Sequence, residues 1–258
     1  MKKYALLGEK LSHSYSPLIH NEIFKDLNID ASYELIELKI EDLKPQLEKL
    51  KSLEYSGYNV TIPYKVEIMK YLDIISDEAL KIGSVNTVAL ENGKLVGYNT
   101  DYYGFYEQLK HFNVEVKDKN CFILGTGGAS RAIYKVLIDM GGIVKFVSRN
   151  PKDDLSIGYD RLDKEKIDII VNTTPIGMYP KTGVSPIDKS IAKRSKNVVD
   201  IIFNPRKTQL LIDANSDMDG LYMLVGQAVK AEEIWQNKKY TLNISDLLKR
   251  IEELIWII

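Results

Sequence analysis

Cysteine is nearly absent. Cys121 is the one thiol in 258 residues, which excludes an internal disulfide and any cysteine-cluster metal site and suits a reducing compartment. Histidine is scarce too: His13 and His20 are seven apart with no paired ligands, a poor metal site, and His111 reads as a helix-end residue. No stretch approaches the roughly 18 consecutive apolar residues that a membrane helix needs. The opening MKKYALLGEK has only a short apolar run before Gly8 and Glu9, too short for the core of a signal peptide. Nor is there an excess of either charge. With 35 basic against 36 acidic side chains, nothing in bulk electrostatics favours nucleic acid or an anionic membrane surface. Sixteen tyrosines are present, but they are scattered and lack the basic stripe that base stacking requires. The expectation is a cytoplasmic protein with neither nucleic acid nor membrane as partner, whose function rests on a local small-molecule site.

What the chain does have is ordinary globular composition. Hydrophobic residues make up 45% and charged residues 28%, which removes disordered, collagenous and coiled-coil readings. Short apolar runs alternate with amphipathic stretches, the pattern of an α/β protein with a parallel or mostly parallel sheet. Strands are expected at residues 4–7, 33–38 and 58–61, with helical stretches after Pro17 and around 41–50. Residues 85–90 and 94–98 flank Glu91, Asn92 and Gly93 and read as a hairpin at a domain edge. Residues 121–124, 143–147, 167–171 and 198–202 read as buried strands. Ala132, Ile133, Val136, Leu137 and Met140 share one helix face, closed by Gly141 and Gly142. A last helix carries Ile244, Leu247, Leu248, Ile251, Leu254, Ile255 and Ile258 at three- and four-residue spacing. Cys121, within its apolar run, reads as core filling rather than a nucleophile.

Gly125, Thr126, Gly127, Gly128, Ala129, Ser130 and Arg131 lie between an expected strand and an expected helix. There, glycines allow a tight turn and close backbone approach, while the helix N-terminus faces a pyrophosphate. Ser130 stands where a third glycine is usual, so a structural turn is the competing reading. The next strand ends in Ser148, Arg149 and Asn150, and a guanidinium there pairs with a 2′-phosphate, which favours NADP over NAD. Asp153 and Asp154 follow closely and would oppose that phosphate if they faced it.

Four polar clusters remain: residues 14–17 (SYSP), 59–65 (NVTIPYK), 83–87 (GSVNT) and 97–101 (GYNTD). Their hydroxyls, amides, ammonium and carboxylate suit a small polyhydroxy acid. Singly, each is an ordinary turn or cap; Thr100 could cap a helix, and Ser16 before Pro17 could start one.

In order along the chain, residues 14–17, 59–65, 86–87, 99–101, 125–131, 172–178, 200–205 and 220–227 resemble the shikimate dehydrogenase family over nearly the entire length. The resemblance implies two α/β domains with the site in the cleft. The substrate domain would be discontinuous (1–101 and 226–258), and a Rossmann-like, doubly wound NADP domain would span 102–225. It implies NADP-dependent, reversible reduction of 3-dehydroshikimate to shikimate in aromatic amino-acid biosynthesis, by a monomer or homodimer. By the same resemblance Lys65 and Asp101 are the catalytic pair, Ser14 and Ser16 bind the substrate carboxylate, and Asn59, Thr61, Asn86 and Gln227 approach the ring's polar groups. Phe203 would also face the substrate, at a position where the family often has a tyrosine that reaches the carboxylate. Gly125, Thr126, Gly127, Gly128, Ala129, Ser148, Arg149, Asn150, Lys152, Thr173, Ile201 and Gly220 are the implied cofactor contacts; no metal is implied. Lys65 makes chemical sense independently, because an ammonium stabilises the oxygen charge built by hydride addition and can donate the proton. Two alternatives stay open: a quinate or quinate/shikimate dehydrogenase using NAD, and a catalytically silent nucleotide-binding regulator.

Overall fold

In the computed structural model, which describes residues 1–256, the chain divides into two units, Met1–Gly104 with Val225–Ile258, and Phe105–Leu224. The first unit runs β1 (Lys2–Gly8), α1 (Ser16–Leu27), β2 (Ala31–Glu37), α2 (Leu43–Ser52), β3 (Gly57–Val60), β4 (Ile74–Ile75), α3 (Asp77–Ile82), β5 (Thr87–Glu91) and β6 (Lys94–Tyr98). Its six strands lie in the order β2-β1-β3-β5-β6-β4. Pairings of β1 with β2 and β3, and of β4 with β6, are parallel, whereas β5 runs antiparallel to both β3 and β6. Five of the six strands therefore run the same way, as a mostly parallel sheet requires, and the reversal of β5 has a local cause. Asn92 and Gly93 both take positive φ, 50° and 76°, the two-residue turn that matches strand twist and that Asn-Gly favours. The hairpin expected at the edge is instead flanked by β4.

Both faces of this sheet are covered. Along β1, Ala5 and Leu7 join a core with Leu43, Leu47 and Leu50 from α2, while Tyr4 and Leu6 join another with Phe24, Tyr33 and Trp235. The alternation is the two-residue period of a strand. Trp235 Nε1 donates to Val88 O at 2.9 Å, and its ring fills the space a side chain at Gly57 would need.

Helix α4 (Asp101–His111) starts in the first unit and ends in the second. The second unit continues with β7 (Asn120–Leu124), α5 (Gly128–Asp139), β8 (Ile143–Val147), β9 (Ser156–Ile157), α6 (Tyr159–Leu162), β10 (Ile169–Asn172), α7 (Lys189–Arg194), β11 (Asn197–Asp200) and α8 (Gln209–Ala214). Its sheet is parallel throughout, in the order β11-β10-β7-β8-β9. Read from β9, that is the 3-2-1-4-5 order of a doubly wound fold, with the switch point between β7 and β10, where ligands bind. The strands are nearly all apolar because both faces are buried. The apolar face of α5 covers the sheet with Ala132, Ile133, Val136 and Leu137, all buried.

Helix α9 (Leu221–Trp235) returns to the first unit, followed by α10 (Ile244–Trp256). In α10, Leu247, Ile251 and Ile255 are buried at four-residue spacing, whereas Leu254 is 42% exposed; the apolar stripe is narrower than the sequence suggested. Ile258 lies outside the described residues. Among those described, no helix is long and apolar enough to cross a membrane.

Candidate active site

In the first unit, chain turns at several strand ends bring polar side chains together. Asn59 lies on β3 and Thr61 just beyond it, Lys65 is in the following loop, and Asn86 and Thr87 open β5. Thr100 and Asp101 begin α4, and Gln227 comes from α9. Lys65 Nζ donates to Asp101 Oδ2 at 2.6 Å, with the two side chains only 12% and 7% exposed. Asn86 organises the rest. Its Oδ1 accepts the Thr100 N–H at 2.6 Å, which fixes the amide so that Nδ2 must face acceptors. Those are Asp101 Oδ1 at 3.0 Å, Thr100 Oγ1 at 3.0 Å and Gln227 Oε1 at 3.3 Å. Asn59 Nδ2 donates to Thr87 Oγ1 at 3.0 Å and to the Asn86 carbonyl at 3.3 Å.

The Thr100 hydroxyl lies 3.3 Å from Gln227 Oε1 and 3.0 Å from Thr87 Oγ1. Asn99 Oδ1 accepts the Tyr102 N–H. Ser14 Oγ lies 3.2 Å from Ser16 Oγ and accepts the Ser16 N–H, just where α1 begins. Thr61 is half-buried beside β1, its N–H donating to Leu7 O at 2.9 Å.

Sequence reasoning did not single out Tyr33, whose hydroxyl donates to Asn59 Oδ1 at 2.7 Å. Burial and the nearby Glu232 carboxylate keep that phenol well above its ordinary pKa, so it remains a donor. Nor did it pair His20 with Glu232, 212 residues away, whose Oε1 lies 2.7 Å from His20 Nδ1. No local pattern marks such partners.

The second unit holds the glycine loop at its switch point. Gly125 takes φ +100°, a conformation that L side chains rarely adopt, and a Cβ there would also press on Thr173 Oγ1 at 3.0 Å. Thr173 in turn donates to Leu124 O at 2.6 Å, so the loops after β7 and β10 are tied together. Thr126 and Gly127 are exposed, and the space where a Gly127 side chain would project is open. Gly128 and Ala129 form the first turn of the twelve-residue α5, whose positive end suits a pyrophosphate. Ser130 replaces the third glycine without loss of packing: it is buried, and its hydroxyl donates to Gly127 O at 2.6 Å. The Ile201 N–H donates to Asn172 O, and Gly220 approaches Ile201 O so closely that a Cβ would fall 2.0 Å from it.

Beyond β8, Ser148 Oγ accepts the Asn150 N–H at 3.2 Å, and Arg149 is exposed on an open pocket of about 460 Å³ that Tyr159, Asp160 and Arg161 also line. Asp153 is engaged within its own turn, its Oδ1 accepting from Ser156 Oγ at 2.9 Å, and Lys152 donates its N–H to the same hydroxyl. Two guanidiniums against the single carboxylate of Asp160 make a lining that fits a phosphate better than a bare ribose diol. The loop, the α5 terminus and this basic pocket together fit NADP. Phe203 is half-buried in the loop after β11. Cys121 is fully buried and its thiol is pushed up to about 12 by burial, which leaves it inert. His111 ends α4 and stacks on Tyr222 with ring centroids 4.6 Å apart.

Residues 6–88 match the family model described as the shikimate dehydrogenase substrate binding domain. A shikimate dehydrogenase (NADP(+)) of Clostridium beijerinckii is 48% identical over 249 residues, covering 92% of each chain. Among solved structures, Shikimate Dehydrogenase 1 from Peptoclostridium difficile superposes with a TM-score of 0.93 at 44% identity, covering 99% of this chain and all of that one. The Thermus thermophilus enzyme, solved in complex with NADP(H) and shikimate, gives a TM-score of 0.88 at 29% identity, covering 98% of this chain and 99% of that one. With sequence identity and backbone in agreement along nearly its whole length, the chain belongs to the shikimate dehydrogenase family.

Proposed function

We propose that this chain catalyses the reversible, NADP-dependent reduction of 3-dehydroshikimate to shikimate, a step of aromatic amino-acid biosynthesis. In this reading the unit containing residues 1–101 and 226–258 binds the substrate and residues 102–225 bind NADP. Its single, buried thiol suits the reducing cytoplasm. The observation that carries the reading is the 2.6 Å contact between Lys65 and Asp101, with the Asn86 amide on the other carboxylate oxygen.

Bound NADPH supplies the hydride for reduction and NADP+ receives it in oxidation, the one task no side chain of this chain can perform. Reduction builds negative charge on the ring oxygen, which the Lys65 ammonium stabilises and then protonates from Nζ. In oxidation the Lys65–Asp101 pair takes that proton back. Asp101 holds Nζ in place, and Asn86 holds Asp101. The Ser14 and Ser16 hydroxyls take the substrate carboxylate, and Asn59, Thr61, Asn86 and Gln227 meet the ring hydroxyls, an array of neutral groups that orients the ring without competing for the proton.

The test is the initial rate of shikimate oxidation, followed at the nicotinamide absorbance, with NADP and NAD at matched concentrations and quinate alongside. Rapid NADP reduction with shikimate is the expected result. Preference for NAD with quinate would move the chain to the quinate-type activity, and no turnover with any combination would make it a silent nucleotide binder.

A further inference from the structure

His20 and Glu232 are both completely buried, and they face one another at 2.7 Å. Neither has a place in the chemistry above. Burying a carboxylate is costly unless its oxygens are bonded, and both of these are: Oε1 meets His20 Nδ1, and Oε2 accepts from Gln236 Nε2 at 3.2 Å. The carboxylate therefore fixes the plane of the His20 ring. That ring lies flat on Tyr33, with centroids 4.1 Å apart and planes within 10°.

Tyr33 connects this buried pair to the substrate groups. Its hydroxyl donates to Asn59 Oδ1 at 2.7 Å. His20 is on α1, Asn59 on β3 and Tyr33 on β2. One hydroxyl on β2 thus sets the orientation of a side chain on β3. With Oδ1 held by Tyr33, Asn59 is locked with Nδ2 toward Thr87 and the Asn86 carbonyl; without it, the amide is free to flip.

Resting on the shikimate reading above, we propose that Tyr33, held flat by the buried His20–Glu232 pair, is a positioning residue that presets Asn59 for the substrate. It touches neither substrate nor cofactor. Its effect is therefore on substrate affinity, with little on the proton step at Lys65.

Tyr33→Phe tests this directly, since it keeps the ring stack and the His20–Glu232 contact and removes only the hydroxyl. The expected result is a KM for shikimate raised about 5- to 100-fold, the range for a buried acceptor left unsatisfied. Turnover should stay within about threefold and NADP affinity, measured by direct titration, within about twofold, because those groups are untouched. A second pair of variants tests the buried contact. Glu232→Leu should raise the shikimate KM in the same way, while Glu232→Gln, which keeps an acceptor for His20 Nδ1, should restore it toward wild type. A stable Tyr33→Phe protein with unchanged KM overturns the positioning role. Equal effects of Glu232→Leu and Glu232→Gln remove the His20–Glu232 pair from it. The wild-type chain in the same assay separates the two layers: absence of wild-type turnover sinks the shikimate reading and this proposal together, whereas normal wild-type kinetics beside an unaltered Tyr33→Phe sinks the proposal alone.

Discussion

Each unit buries one aspartate at the end of its sheet, and the two are kept in opposite ways. Asp101 in the first unit has the Lys65 ammonium at 2.6 Å and an amide on its other oxygen. Asp200 in the second is bonded by neutral donors: the Thr208 hydroxyl at 2.7 Å, Asn172 Nδ2 at 3.0 Å and the Ile202 N–H at 3.1 Å. Burial outweighs those donors and pushes the Asp200 carboxyl up to about 6. A carboxylate beside a cation can hold a proton donor in place. One ringed by neutral donors serves as a knot, here tying β11 to β10 and to the start of α8.

The largest effect should come from making the first aspartate resemble the second. Lys65→Ala leaves Asp101 with only the Asn86 amide and removes the proton donor, and turnover should fall about 10²- to 10⁴-fold, the range for a positioned acid or base. Near-normal kcat in that variant would remove Lys65 from the proton step.

Asp200→Asn sharpens the other side, because the amide keeps the shape and most of the bonds while deleting the charge. The folded-state value of about 6 lies above the ordinary 3.8. The protonated group therefore contributes stability that is full below about 3.8 and lost as pH rises through about 6, a loss on the order of 3 kcal/mol at neutrality. The gap in urea midpoint between Asp200→Asn and wild type should widen in the variant's favour from pH 4.5 to pH 7.5. A gap that is the same at both would place the titration elsewhere.

The smallest effect concerns a third carboxylate, the substrate's own. In the proposed reading Phe203→Tyr offers it one more donor, and the shikimate KM should fall about tenfold, the low end for a hydrogen bond to a charged group. An unchanged Michaelis constant would show that position 203 does not face the carboxylate.

Most of the fold was legible in the sequence. The second unit's long strands read as unbroken apolar runs, and Asn92-Gly93 announced its turn. Strands β4 and β9, two residues each, are too short to leave a period, which is why the first sheet's true edge went unseen. The exposure of Leu254 was hidden because spacing alone cannot say how wide a stripe its neighbours cover. At the site, ordered motifs named Lys65 and Asp101, which the fold brings together across 36 positions. Tyr33 and Glu232 were silent, since their roles exist only in contacts between α1, β2, β3 and α9.

Trp235 has a practical consequence. It is buried, stacked on Tyr4 with centroids 4.5 Å apart and bonded through Nε1 to Val88 O. The chain's two tryptophans, at positions 235 and 256, both belong to the first unit. Indole emission is therefore a built-in optical tag for one half of the molecule. Loosening of the β5 edge around Val88 would shift the Trp235 component to the red. Recording emission and far-ultraviolet dichroism through one urea titration would set the first unit's indole signal beside the unfolding of the whole chain, with no label attached.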